Sequence, residues 1–183
     1  MSDLDSLRLE VARITRRGIG MTAAACLYWL SLTLVTAFTG LQPEALAAFF
    51  VIATAVVYPL GWLLNRCCGG DLFARGHPLS GLVAMLAATE ALGLPMMALL
   101  FRDEPTLLAF ALAAMLGAHF VPFGWLYRSP AYYALGIGTV VLSALLQWYL
   151  PRQAPLLVPV AMTLCYALAV VAVWREVRAA ERE

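Results

Sequence analysis

The chain has 183 residues, of which 63% are hydrophobic and 13% charged, with a formal net charge of +1. A soluble domain carries about 25% charged residues, and a chain this short cannot hide so much apolar surface in one water-solvated core. The composition excludes a water-soluble globular fold, and the near-neutral balance removes any general attraction to nucleic acid. A mean hydropathy of +0.83 points to lipid as the solvent. One membrane domain over 1–183 is the expected organisation.

The N-terminal segment 1–18 reads as amphipathic. Leu4, Leu7, Val11 and Ile14 share one helical face, with arginines elsewhere, so a short helix lying on the inner leaflet is expected. A frayed extension of the first span is the alternative. Arg16-Arg17 precede an apolar run, and Ala23-Ala24-Ala25-Cys26 looks like a lipoprotein cleavage box. The apolar stretch before Cys26 is short for a signal sequence and continues to Phe38, which favours an uncleaved first transmembrane helix.

Crossing about 30 Å of hydrocarbon takes about 20 apolar residues at about 1.5 Å each. Six stretches qualify: 19–39, 43–64, 79–101, 105–127, 131–150 and 155–174. No segment alternates apolar and polar residues with period two, so a β-barrel reading fails. The fold class expected is an all-α polytopic transmembrane helical bundle. Its breaks are Gly40-Leu41-Gln42-Pro43, the longer loop 65–80, Arg102-Asp103-Glu104-Pro105, Arg128-Ser129-Pro130 and Pro151-Arg152-Gln153.

Orientation follows from the arginines beside the spans. Arg8, Arg13, Arg16, Arg17, Arg66, Arg75, Arg128, Arg175, Arg178 and Arg182 fall on one side, and only Arg102 and Arg152 on the other. This predicts both termini, the 65–80 loop and the tail 175–183 in the cytoplasm. Trp62, Trp125 and Trp174 then sit at cytoplasmic span ends, as an aromatic belt places them. A faint repeat relates Pro43…Pro59-Leu60-Gly61-Trp62-Leu63…Arg66 to Pro105…Pro122-Phe123-Gly124-Trp125-Leu126…Arg128. Either duplication of a hairpin or shared demands at the inner interface produces it.

The cysteines offer little chemistry. Cys26 and Cys165 lie in apolar spans as packing residues, and the adjacent Cys67-Cys68 pair lacks the company a metal site needs. No cofactor, metal or catalytic residue is expected, because no metalloprotease, hydrolase, P-loop or dinucleotide signature occurs.

Glu90 is the most informative residue. It stands at the centre of the third span, where a carboxylate costs at least about 2.5 kcal/mol, and such a group defaults to a functional role. His119 lies in the fourth span at nearly the same depth, and the short turn between these spans makes them antiparallel neighbours. The two side chains are expected to pair if their faces meet. Pro95, Pro122 and Pro59 each leave a carbonyl without its helical donor, beside Glu90, His119 and Thr54 respectively. These helix-break candidates, with Thr89 as a further polar group, are the features of broken helices lining a midplane cavity. In the alternative, His119 bonds only a neighbouring carbonyl, and Glu90 is neutral helix-packing glue bonded to Thr89 or a serine.

The stretch His119-Phe120-Val121-Pro122-Phe123-Gly124-Trp125-Leu126-Tyr127-Arg128, followed by Pro130 and Tyr132-Tyr133, resembles a pattern in a family of small bacterial multipass membrane proteins of unknown function. The resemblance implies a bacterial inner-membrane protein and carries no activity with it. The working expectation is a multipass protein moving a proton or small solute, with Glu90 as binding or titrating group and His119 as its partner. A membrane-embedded binding or regulatory module without transport is the other class. The bilayer is the expected partner, a small molecule or ion the expected ligand, and self-association as a homo-oligomer stays open.

Overall fold

A computed structural model describes residues 3–182. Met1, Ser2 and Glu183, at the ends of the expected N-terminal segment and tail, lie outside the described residues. Among the described residues seven helical units appear, and six are long and apolar enough to cross a membrane. The all-α, six-span expectation holds.

The short helix α1 (Asp3–Ile14) precedes the first span and is set off from it by a kink. Arg16 and Arg17 (both φ 51) and Gly18 (φ +65) occupy the left-handed region. That conformation costs roughly 1–2 kcal/mol for each non-glycine residue. The kink is held from outside: the Arg17 guanidinium donates to the Tyr127 carbonyl, and the Tyr132 hydroxyl donates to the Arg17 carbonyl. Helix α1 is docked by Arg8, which donates to the Trp125 carbonyl and lies 4.3 Å over the Trp125 ring.

The spans follow as α2 (Ile19–Phe38), α3 (Pro43–Cys67), the paired α4 (Ser80–Ala88) and α5 (Leu94–Asp103), α6 (Leu108–Leu126), α7 (Pro130–Tyr149) and α8 (Ala154–Ala180). Pro43 and Pro130 sit in the first turns of their helices, where no amide donor is missed. Ser129 caps α7 by accepting from the Tyr132 amide at 3.3 Å. Pro59 and Pro122 are carried inside α3 and α6, and both helices run on through them.

Helices α6 and α7 pack together, α2 packs on both α3 and α8, and α8 also touches α6 and α7. Glycines permit the close approaches. A Cβ on Gly117 would run into Thr139, and one on Gly136 would meet the Val121 side chain and the Gly117 carbonyl. Trp29, Tyr132, Tyr166, Phe50 and Met162 fill the interior. The third span stands at the periphery: 11% of its apolar window is buried inside the protein, against 50% for the fourth span. Most of its apolar surface is therefore left uncovered by the rest of the chain.

The arginine-rich ends of the chain gather at one end of the bundle. The Asp71 amide donates to the Ile14 carbonyl at 2.9 Å, joining the 65–80 loop to the end of α1. Arg16 pairs with Glu181 beyond α8. Within the loop, the Asp71 carboxylate accepts from the amides of Phe73 and Arg75, and His77 Nδ1 accepts from the Leu79 amide.

Candidate functional site in the membrane interior

Glu90 stands where the third span changes its winding. Between α4 and α5, residues Thr89–Gly93 form a 3-10 turn rather than an α-helix. Pro95 explains the change. It has no amide proton to give the Ala91 carbonyl four residues earlier, and the Leu94 amide takes that carbonyl instead with a tighter, three-residue bond. Gly93 brings the turn against α6, close enough that a Cβ would overlap the Met115 sulfur.

The turn places Glu90 opposite His119. Nδ1 of His119 lies 3.7 Å from Oε1 of Glu90, beyond a hydrogen bond but within reach of an ion pair. That nitrogen is buried and has no hydrogen-bond partner. The imidazole is otherwise packed among aromatics, 5.3 Å from the Phe120 ring centre and 5.0 Å from that of Phe123. The carbonyl of Leu86 faces the ring from the third span.

Glu90 and His119 line one cavity of about 90 Å³. That is room for several waters or a small solute. Its inner wall is aromatic, from Phe120, Phe123, Tyr132 and Tyr166. Val57 and Tyr58 of α3 and Ala84 and Ala87 of α4 also line it. Toward the arginine-rich end it reaches Gly18, Leu72 and Phe73. The Tyr166 hydroxyl is buried, and the polar group that approaches it is the indole nitrogen of Trp29, whose ring centre is 6.5 Å from that of Tyr166. Buried polar groups normally find a partner, and the unpartnered His119 nitrogen beside a carboxylate marks a place built for something polar.

The other sequence candidates are not brought into this site. The Thr54 hydroxyl donates to the Val51 carbonyl on its own helix at 2.6 Å, and Thr54 does not line the cavity. Thr89 is exposed on the outer face and donates to the Leu86 carbonyl at 2.6 Å. Pro59 is exposed and Pro122 half-buried, neither at the cavity wall. Tyr166 and Trp29 were not singled out from the sequence. Their signal was an aromatic with a polar tip at mid-span, away from the interfacial belt where such rings ordinarily sit.

A family model matches the chain over residues 4–176, reaching all six spans, and its description is a family of unknown function. The chain belongs to DUF7010. The expectation of a family of unknown function holds in that coarser form, and DUF7010 carries no described activity to bring to the cavity. No curated protein and no solved structure matches the chain. Among the described residues no group of three or more His, Cys, Asp or Glu side chains comes together to hold a metal. What this DUF7010 member offers chemically is a carboxylate, an imidazole and a phenol around a small space inside a multipass membrane protein.

Proposed function

We propose that this protein is a small transporter that binds a proton or a proton-linked small solute at Glu90, with His119 as its partner. The observation that carries the reading is the Glu90–His119 approach of 3.7 Å at a broken point of a membrane span, beside a cavity of about 90 Å³. A carboxylate at that depth is costly unless neutralised, paired or wetted, and such a cost is ordinarily retained for function. The 3-10 turn supports the reading further, since irregular backbone at membrane depth is tolerated where it lines a cavity. Glu90 takes up the proton, and the free Nδ1 of His119 accepts or returns it across the gap. We assign both termini to the cytoplasmic side on the arginine asymmetry, and the protein to a bacterial cytoplasmic membrane on the resemblance of the His119–Arg128 stretch.

The test uses purified protein in liposomes loaded with a pH-sensitive dye. A potassium diffusion potential drives protons inward, and the Glu90→Gln variant is run beside the wild type. Wild-type acidification that disappears in the variant is the expected result. Equal acidification in both, or none in the wild type above empty liposomes, overturns the proposal.

A second reading, a binding or regulatory module without transport, draws on one observation. The 65–80 loop is folded by its own Asp71 and His77 bonds and tied to α1, and so presents a fixed surface to a partner. Site-directed crosslinking from the exposed Cys67 tests it: a single specific adduct in native membranes favours this reading, and its absence removes it.

A further inference from the structure

The arginine-rich end carries a feature that the mid-span cavity does not use. Two adjoining hollows, of about 490 and 210 Å³, run along the seam between α1 and the end of α8. Arg16, Val177 and Glu181 line both. Arg13 and Arg17 line the larger, and Arg178 and Trp174 the smaller. Four guanidiniums therefore face one seam whose walls hold a single carboxylate, Glu181.

The four are not equally engaged. Arg17 is spent on the Tyr127 carbonyl and lies 3.8 Å from Glu176, and Arg16 pairs with Glu181. Among the described residues Arg13 has no ion-pair partner, and Arg178 makes no close ion pair: it lies 4.7 Å from the Trp174 ring centre and acts on Glu181 only at longer range. The seam thus keeps an excess of positive charge. Its floor is apolar, made of Leu9, Ala12, Ile19 and Val177.

A soluble anion needs the charge but not the floor. An amphiphile with an anionic head needs both, and the seam lies beside the ends of two apolar spans, where headgroups are found. We propose that this seam binds the headgroup of an anionic phospholipid. Arg13 and Arg178 grip the phosphodiester through charge-assisted hydrogen bonds. The apolar floor takes the glycerol end of the acyl chains. Arginine clusters beside membrane helices attract anionic lipid in this way. The site is separate from Glu90 and does not depend on the transport reading.

Native mass spectrometry of the detergent-solubilised full chain tests the assignment, with dioleoylphosphatidylglycerol, dioleoylphosphatidylcholine and inorganic phosphate as probes. The glycerol lipid is expected to bind roughly tenfold or more better than the choline lipid. The Arg13→Ala/Arg178→Ala variant is expected to lose that preference, and Glu181→Gln, which frees Arg16, to increase it. Equal binding of the two lipids to the wild type overturns the proposal, as does a preference that survives the double variant. Displacement of the glycerol lipid by millimolar inorganic phosphate reassigns the seam to a soluble anion and equally overturns it. The wild-type competition stands without any variant. Should the alanine pair misfold, Arg13→Gln/Arg178→Gln removes the same charges while keeping longer side chains.

Discussion

The backbone amide of Gly20 donates to the side-chain oxygen of Asn65 at 3.2 Å, across the interface between the first two spans. The Asn65 amide donates in turn to the Thr15 carbonyl at 3.1 Å. Gly18 stands at the N-cap of α2 and has no side chain to offer. Asn65 does that work from another helix, accepting from one of the amides a helix start leaves free.

Replacing Asn65 with Leu should therefore destabilise the protein strongly. It orphans the buried Gly20 amide, at about 1–3 kcal/mol, and leaves the Thr15 carbonyl to the Gly18 amide alone. Gly20→Ala attacks the same contact sterically, because a Cβ there would collide with the Asn65 backbone. Thermal unfolding in detergent should show a clear fall for both variants. Leu92→Ala, at an outward-facing position 80% exposed, should change little. If Asn65→Leu unfolds with the wild type, this cap does not hold the kink.

Much of the bundle was legible because hydropathy reports length and depth directly. Six oily stretches and their arginine-flanked ends follow from what hydrocarbon will dissolve. The meeting of Glu90 with His119 was legible for a related reason: a short turn fixes two spans as neighbours, and counting residues fixes relative depth. Rotation about each helix axis was not legible, since packing sets it. Thr54 and Glu90 looked equally central along their spans, yet one hydroxyl closes on its own helix while the carboxylate faces the cavity. Asn65 looked like the start of a loop, and Arg17 like one interfacial anchor among ten. Their roles depend on partners 45 and 110 residues away in the chain.

Thiol labelling should report which side of the membrane holds the arginine-rich end. Cys67 is exposed there, at the end of α3, whereas Cys26 and Cys165 are half-buried within spans. A membrane-impermeant maleimide should modify Cys67 in inside-out vesicles and leave it untouched in intact spheroplasts. A Cys67→Ser variant identifies the band. Labelling in spheroplasts would place the termini outside and reverse the orientation.

The Arg16–Glu181 pair should give stability a modest dependence on acidity. The neighbouring guanidinium holds the Glu181 carboxyl below the ordinary glutamate value of 4.5. A group depressed on folding adds stability above its unfolded value, and that contribution is lost as the pH falls through the folded value. Wild type should thus melt slightly above Glu181→Gln at pH 7, and the two should converge toward pH 3. The carboxylate is solvent-exposed and salt screens it, so the gap should also shrink in high salt. A constant gap across the pH series would assign the difference to something other than this ion pair.

Replacing Glu90 with Leu separates a working carboxylate from a packing one. If Glu90 were glue, its removal would break hydrogen bonds that hold the third span, and the protein would melt earlier. Among the described residues, however, its only close polar partner is the His119 nitrogen at 3.7 Å, and that nitrogen remains unsatisfied. The 3-10 turn holds without the carboxylate, since Pro95 and the Leu94 amide explain it. Leucine should then relieve a burial cost of about 2.5 kcal/mol at full membrane depth, less where water reaches the cavity. The expected outcome is a thermal midpoint equal to or above the wild type in detergent, together with loss of proton uptake in liposomes. Sites that sacrifice stability for activity behave in this way. A lower midpoint would instead make Glu90 part of the scaffold, and the cavity would lose its claim to be the place where this protein works.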